Sequence, residues 1–169
     1  MKAVMTLAAL LLAGCVALGE PPLQVGVAGG EQIRARWGEP NMRWRDADGS
    51  EQWAYVGGPN GTQTVMVFLD AQGRLLRSEK VLNSEHFARI RPGIDDVPAV
   101  LRLIGPPNPM WSVEFSARNE LAWEWLICDD WSQLARFGVL FDASTGVVRS
   151  SYQTPELRGR GGIAPWCGR

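Results

Sequence analysis

Histidine occurs once in this 169-residue chain, as His86, and cysteine only three times, as Cys15, Cys128 and Cys167. One imidazole and no close-spaced pair of ligands fall short of a tetrahedral metal site. The same scarcity removes the usual general base, and no serine or cysteine motif announces a nucleophile beside one. Excess charge of either sign is missing too, since 17 Lys and Arg against 18 Asp and Glu leave a net charge of −1. A nucleic-acid binder needs a basic face to neutralise phosphates, so that class is set aside. No glycine-rich loop opens a helix after a strand; Gly57-Gly58-Pro59-Asn60-Gly61 reads as a hairpin turn instead. Paired acids exist, but Asp95-Asp96 stands at a helix start and Asp129-Asp130 in a turn, both ordinary places for aspartate. These absences point to binding without catalysis, with no cofactor, no metal and no small-molecule substrate.

What is present begins with a composition fit to fold. Hydrophobic residues make up 46% and charged residues 21%, so the chain can bury a core and is not of the disordered class. The 8 tryptophans stand out as large apolar bodies suited to cores and to the centres of interfaces. At the start, Met1-Lys2 and the apolar stretch 3–14 have the layout of a secretory signal, too short to cross a bilayer core of about 30 Å as a permanent helix. The stretch ends Leu11-Leu12-Ala13-Gly14-Cys15, which resembles the bacterial lipobox, where the cysteine is lipidated and becomes the mature N-terminus. Residues 1–14 are therefore read as a signal peptide and 15–23 as lipid anchor and tether. Val16 stands where an aspartate would, in the enteric sorting pattern, retain a lipoprotein at the inner membrane. The periplasmic face of the outer membrane is the expected location. Each buried acyl CH₂ contributes about 0.8 kcal/mol, so several chains on one cysteine anchor stably without a transmembrane helix.

Cys128 and Cys167 are left as an even pair in an oxidising compartment. A disulfide is the favoured reading over two free thiols, and closing so long a loop would contribute roughly 4 kcal/mol in the chain-entropy description.

The interior of the chain is organised by a repeat. Gly26, Gly38 and Pro40 recur as Gly93, Gly105 and Pro107, each 67 positions on, and Asp70-Ala71 and Arg77-Ser78 recur as Asp142-Ala143 and Arg149-Ser150, 72 positions on. Residues 24–82 and 83–153 are thus two copies of one small unit, followed by an irregular tail, 154–169. In the first copy a weak helix is expected over 30–37, since its glycines each cost about 1 kcal/mol relative to alanine. In the second, Val97, Val100, Leu101 and Ile104 fall at helical spacing, with Asp95 as the expected cap and Gly105-Pro106-Pro107 as the stop. A shorter helix is expected over 84–90. Strands are expected at 43–44, 51–56, 63–69 and 75–82, then at 111–115, 121–128, 137–141 and 147–153, joined by Gly, Asn and Asp turns. The fold class is α+β: two tandem repeats, each with one or two short helices on an antiparallel three- to four-stranded sheet. Trp53 and Tyr55, like Trp123 and Trp125, are two apart and share a strand face, and one face of each sheet must meet the helix. Apolar residues on both sheet faces leave room for one face to stay open to a partner.

Phe87, Ile90, Gly93, Ile94, Val100, Gly105 and Pro107, followed by Trp123-x-Trp125 and Phe141-Asp142, resemble the BamE (SmpA/OmlA) domain of outer-membrane lipoproteins. Leu23, Gly26, Gly38, Pro40, Trp53-x-Tyr55 and Phe68-Leu69-Asp70 repeat the pattern. The resemblance implies helices packed on an antiparallel sheet and a non-catalytic role in outer-membrane protein assembly or envelope integrity, with a protein partner in the outer membrane or periplasm. The family's assembly factor has one such unit and this chain has two. Tandem units of this shape resemble the β-lactamase inhibitor protein, which implies the alternative of an inhibitor or binder of a periplasmic enzyme. Trp44, Trp111 and Trp131, at strand ends or loops, are the candidate partner-binding aromatics. His86 is expected to be a surface or satisfied histidine. Arg158, Arg160 and Arg169 are expected to belong to a solvated tail rather than a headgroup-binding patch.

Overall fold

A computed structural model describes residues 22–58, 61–157 and 167. The order is one helix, α1 (Gly30–Trp37), then four strands, β1 (Met42–Arg45), β2 (Glu51–Gly57), β3 (Gln63–Leu69) and β4 (Leu75–Lys80). Two helices follow, α2 (Ser84–Phe87) and α3 (Val97–Ile104), and then β5 (Ser112–Phe115), β6 (Glu120–Cys128), β7 (Leu134–Asp142) and β8 (Val148–Pro155). The protein is α+β with two separate four-stranded antiparallel sheets, each a meander in chain order. Short polar turns dictate that order, because adjacent strands joined by a few residues can only pair antiparallel.

The two halves match in backbone detail. Gly26 N–H donates to Leu75 C=O at 2.7 Å and Leu75 N–H to Ala28 C=O at 2.8 Å; Gly93 and Val148 (2.8 Å) and Val148 and Asp95 (2.9 Å) repeat both bonds. Each last strand also carries an irregularity at the same place. Phe68 pairs with Arg77 and Leu69 with Leu75, leaving Leu76 over; Leu140 pairs with Ser150 and Phe141 with Val148, leaving Arg149 over.

Several expectations need correction. Asp96, not Asp95, caps α3, accepting from Ala99 N–H at 2.9 Å. Asp95 is buried and instead accepts from the Arg91 backbone N–H at 2.8 Å and from its guanidinium at 2.6 Å, closing the turn ahead of the helix. The middle helix of the three stops at Phe87, with Ala88–Ile90 a tight turn rather than a continuation. The hairpin after Cys128 is tighter than Phe137 implied: β7 begins at Leu134, because Asp129 folds the turn by accepting from the Trp131 and Gln133 N–H groups.

Burial distinguishes the sheets. On the first, Trp53, Tyr55, Val67, Leu69 and Leu75 pack with Ile33 of α1 and with Ala28. Its opposite face, with Ala54, Met66 and the half-buried Trp44, joins Phe87, Val100 and Ile104 in one cluster with Trp125, Ile127, Phe137, Val139 and Phe141 of the second sheet. The helices of the second half therefore lie between the sheets, and the first sheet is covered on both faces. Polar contacts brace this seam. Gln52 Nε2 donates to the Arg102 carbonyl at 2.5 Å, the Arg102 guanidinium reaches the Gln52 Oε1 at 3.1 Å and bridges to Asp46, and it lies 5.7 Å from the Trp44 ring. Gly105 is required here, since its φ is +80° and a Cβ would lie 2.7 Å from Thr64 Cγ2.

Candidate partner-binding face

Strand alternation splits β6 and β7 into two sets. Leu121, Trp123, Trp125 and Ile127 turn to the helices, while Glu120, Ala122, Glu124, Leu126 and Cys128 turn the other way. Pairing places Leu134, Arg136, Gly138, Leu140 and Asp142 of β7 on that same outer side, with Val113 and Phe115 of β5 and Ser150, Tyr152 and Thr154 of β8. Helix α3 packs on the inner side; on the outer side Ala122, Leu126 and Leu134 are buried while Val113 and Phe115 stay exposed, and the short 3-10 turn Pro109–Trp111 lays Trp111 against it.

Its middle is a hydrogen-bonded network. Tyr152 hydroxyl donates to Glu124 Oε1 at 2.7 Å, Arg136 donates to Glu124 Oε2 at 3.1 Å, and Arg136 also pairs with Glu156. The Arg136 guanidinium sits 4.3 Å from the Trp111 ring centre, a cation–π contact that fixes the indole over β7. Gly138 makes room for Tyr152, because a Cβ there would lie 2.3 Å from the ring. Burial, then the Glu124 hydrogen bond, push the Tyr152 hydroxyl up to about 12, so it stays a proton donor at neutral pH. The Glu156 hydrogen bond, then that of Glu124, hold the Arg136 guanidinium above its ordinary value against the opposing effect of burial.

Toward one end of the face, Val113 and Ala122 stand opposite each other and Ala122 opposite Leu140, an apolar row across three strands. Phe115 lies beside it under the Arg118 guanidinium, 4.2 Å from the ring centre. Val113 is 44% and Phe115 39% exposed. At the other end, Cys128 is bridged to Cys167, with their Cα atoms 5.8 Å apart, and Cys167 N–H donates to the Ser132 carbonyl at 3.0 Å. Trp131, 79% exposed, projects from the same β6–β7 hairpin. The charges on this face are spent on one another: Glu120 pairs with Arg118 and Asp142 with Arg149, besides the Glu124–Arg136–Glu156 set. What the face offers a partner is aromatic and aliphatic surface around a fixed polar centre.

The structure thus places Trp111 over the polar middle of the outer face and Trp131 on the hairpin at the end of the same sheet. Trp44 is not with them; it sits in the seam, half-buried under Arg102, because β1 turns it to the side that meets α3. Cys15, Arg158, Arg160 and Arg169 lie outside the described residues. His86 is buried at 6% exposure rather than on the surface; its Nδ1 lies 2.9 Å from Asn83 Oδ1, and its Nε2 has no hydrogen-bond partner. Glu124, Arg136 and Tyr152 were not singled out from the sequence, although a Glu and an Arg interrupting two apolar strands at alternate positions were the available signal. A cleft of about 270 Å³ lies where the halves meet, lined by Val56, Thr64, Pro107, Asn108, Trp125 and Leu126 among others. Among the described residues no group of three or more His, Cys, Asp or Glu is placed to hold a metal, and no helix is long and apolar enough to cross a membrane.

No protein-family model matches this sequence, and no curated protein matches it. Among solved structures it is similar to an extracellular protein containing an SCP domain from Bacillus anthracis, at 14% identity and a TM-score of 0.28, over 90% of this chain and 53% of that one. The chain therefore spans about half the length of that protein.

Proposed function

We propose that the protein is a lipid-anchored binding or scaffold protein on the periplasmic face of the outer membrane, an accessory of outer-membrane protein assembly or envelope integrity. In this reading the two halves are tandem repeats of a BamE-like unit, and Cys15 carries the acyl chains. The observation that supports it most is the outer face of the second sheet, which keeps Val113, Phe115 and Trp131 exposed while its charges are paired internally. Such a surface suits protein contact, where aromatic and aliphatic anchors dominate the energy. The test is purification of the tagged chain from detergent-solubilised membranes. Recovery together with barrel-assembly components is the expected result, and recovery without any of them would sink the assembly role.

One feature favours a second reading, a BLIP-like binder of a periplasmic enzyme. Trp131 stands 79% exposed on a hairpin tip, the form of a side chain that enters a cleft. Inhibition of a periplasmic hydrolase by the purified chain, lost in Trp131→Ala, would support that reading over the first.

A further inference from the structure

We infer that the corner of the first half formed by Val25, Val27 and Leu76 rests on the lipid bilayer to which the chain is tethered. The inference depends on the lipid-anchored reading above. Three large aliphatic side chains are exposed there, Val25 at 63%, Val27 at 72% and Leu76 at 49%. They belong together, because the backbone bonds between Gly26–Ala28 and Leu75 place the loop directly alongside the last strand of the sheet. Leu76 is the extra residue of the β4 irregularity, free of a cross-strand partner.

The equivalent corner of the second half shows what this one has in place of charge. Pro92, Ile94 and Arg149 occupy the matching backbone positions, Arg149 answering to Leu76 rather than to Arg77 because the second turn is one residue longer, and Arg149 is tied to Asp142 at 2.7 Å. Only one position there, Ile94, keeps a large exposed aliphatic side chain. The apolar version is the one beside the anchor. Six residues, 16–21, separate Cys15 from Pro22, and a chain spans at most roughly 3.6 Å per residue, so the start of the fold is held within about 25 Å of the acylated cysteine. Val25 and Val27 come three and five residues later. No other exposed aliphatic cluster of the described residues lies so close along the chain to the anchor. Arg74, the nearby cation, is paired with Asp70 at 3.0 Å, so the contact is apolar rather than a basic reading of headgroups. Seated this way, the bilayer fixes the orientation of the first half, and with it the direction in which the second sheet presents its outer face.

The test uses the full acylated protein in phosphatidylethanolamine–phosphatidylglycerol vesicles, with a nitroxide attached at Val27→Cys or, as the matched control, Ile94→Cys. Both sites are exposed, so neither change threatens folding. The expected result is a several-fold lower collision rate with an aqueous nickel chelate, and a higher one with oxygen, at position 27 than at position 94. Equal nickel access at the two positions on vesicle-bound protein would overturn the inference while leaving the anchor in place. Dipolar broadening between labels at position 27 would put a second copy of the chain on the corner and overturn it as well. If mass spectrometry found Cys15 without acyl chains, the anchored reading itself would fail and the inference with it.

Discussion

The two eight-residue helices that precede the meanders end alike, each at a glycine of φ near +80°, yet they do different work. α1 buries Ile33 alone, against one face of one sheet, and its N-terminal Gly30 is needed because a Cβ there would meet the Trp53 ring at 2.7 Å. α3 buries Val100 and Ile104, and its residues touch both sheets. The first helix is a cover and the second is a joint. The sheets differ in consequence: the first is packed on both faces, whereas the second has its inner face in the joint and keeps Val113 and Phe115 exposed at one end of its outer face, where Leu126 and Leu134 are buried. Two meanders of the same order thus pack differently, and that asymmetry is why the proposed binding surface is placed on the second half.

Substitution at the joint is expected to have the largest effect. Trp125→Ala, removing a side chain 2% exposed whose Nε1–H donates to the Gly105 carbonyl, is expected to cost about 3–5 kcal/mol and to unfold both halves in a single urea transition. Ile33→Ala should instead loosen α1, seen as faster amide exchange confined to the first half. The disulfide comes next. Replacing Cys128 and Cys167 by alanine releases a loop of 39 residues and is expected to lower stability by up to roughly 4 kcal/mol, read from the urea midpoint, with the sheet retained by circular dichroism.

The matched helix ends offer a finer test. Gly38→Ala meets nothing within 4 Å, so it bears only the backbone strain of about 1–3 kcal/mol, while Gly105→Ala bears that strain and the clash with Thr64. The difference in midpoint between the two variants measures how tightly the halves are joined. A smaller effect is expected at Asp95. The Arg91 guanidinium, helped by the Arg91 backbone N–H, holds its carboxyl below the ordinary value of 3.8 against the desolvation that opposes it. A carboxyl lowered in the folded state contributes stability above its unfolded pKa of about 3.9 and loses it as pH falls through the folded value. Asp95→Asn should therefore flatten the acid side of the stability curve below about pH 4, measured by thermal unfolding across pH. Smallest of all, Trp131→Ala should change stability by no more than about 0.5 kcal/mol, since an exposed hairpin residue touches little. Loss of partner capture in that variant, with stability kept, is the expected signature of an interface residue.

Much of this architecture was legible in the sequence. The repeat of Gly26, Gly38 and Pro40, the Gly–Asn–Asp turns and the spacing of Val97, Val100, Leu101 and Ile104 carry local information, and the elements lie close to where those signals put them. What was not legible depended on which surfaces meet. Trp44 and Trp111 are both strand-end tryptophans with an arginine near, but only the stacking of the halves turns one into the seam and leaves the other outside. Asp95 and Asp96 are adjacent acids, and the choice of cap follows from Asp95 being drawn into the turn by Arg91. The network of Glu124, Arg136, Tyr152 and Glu156 joins residues up to 32 positions apart through strand register, which hydropathy alone does not reveal. The alternation in β6 marked one face as apolar; it did not say that Val113 and Phe115 would stay exposed beside the other.

The most direct measurement is photocrosslinking in intact cells with a photoreactive residue at Val113 or at Trp131, on the outer side and hairpin of the second sheet, or at Glu31 on the exposed side of α1. Protein adducts at positions 113 and 131, and none at 31, are the predicted result. Adducts at 31 with none at 113 and 131 would contradict the assignment and move the binding surface to the first half.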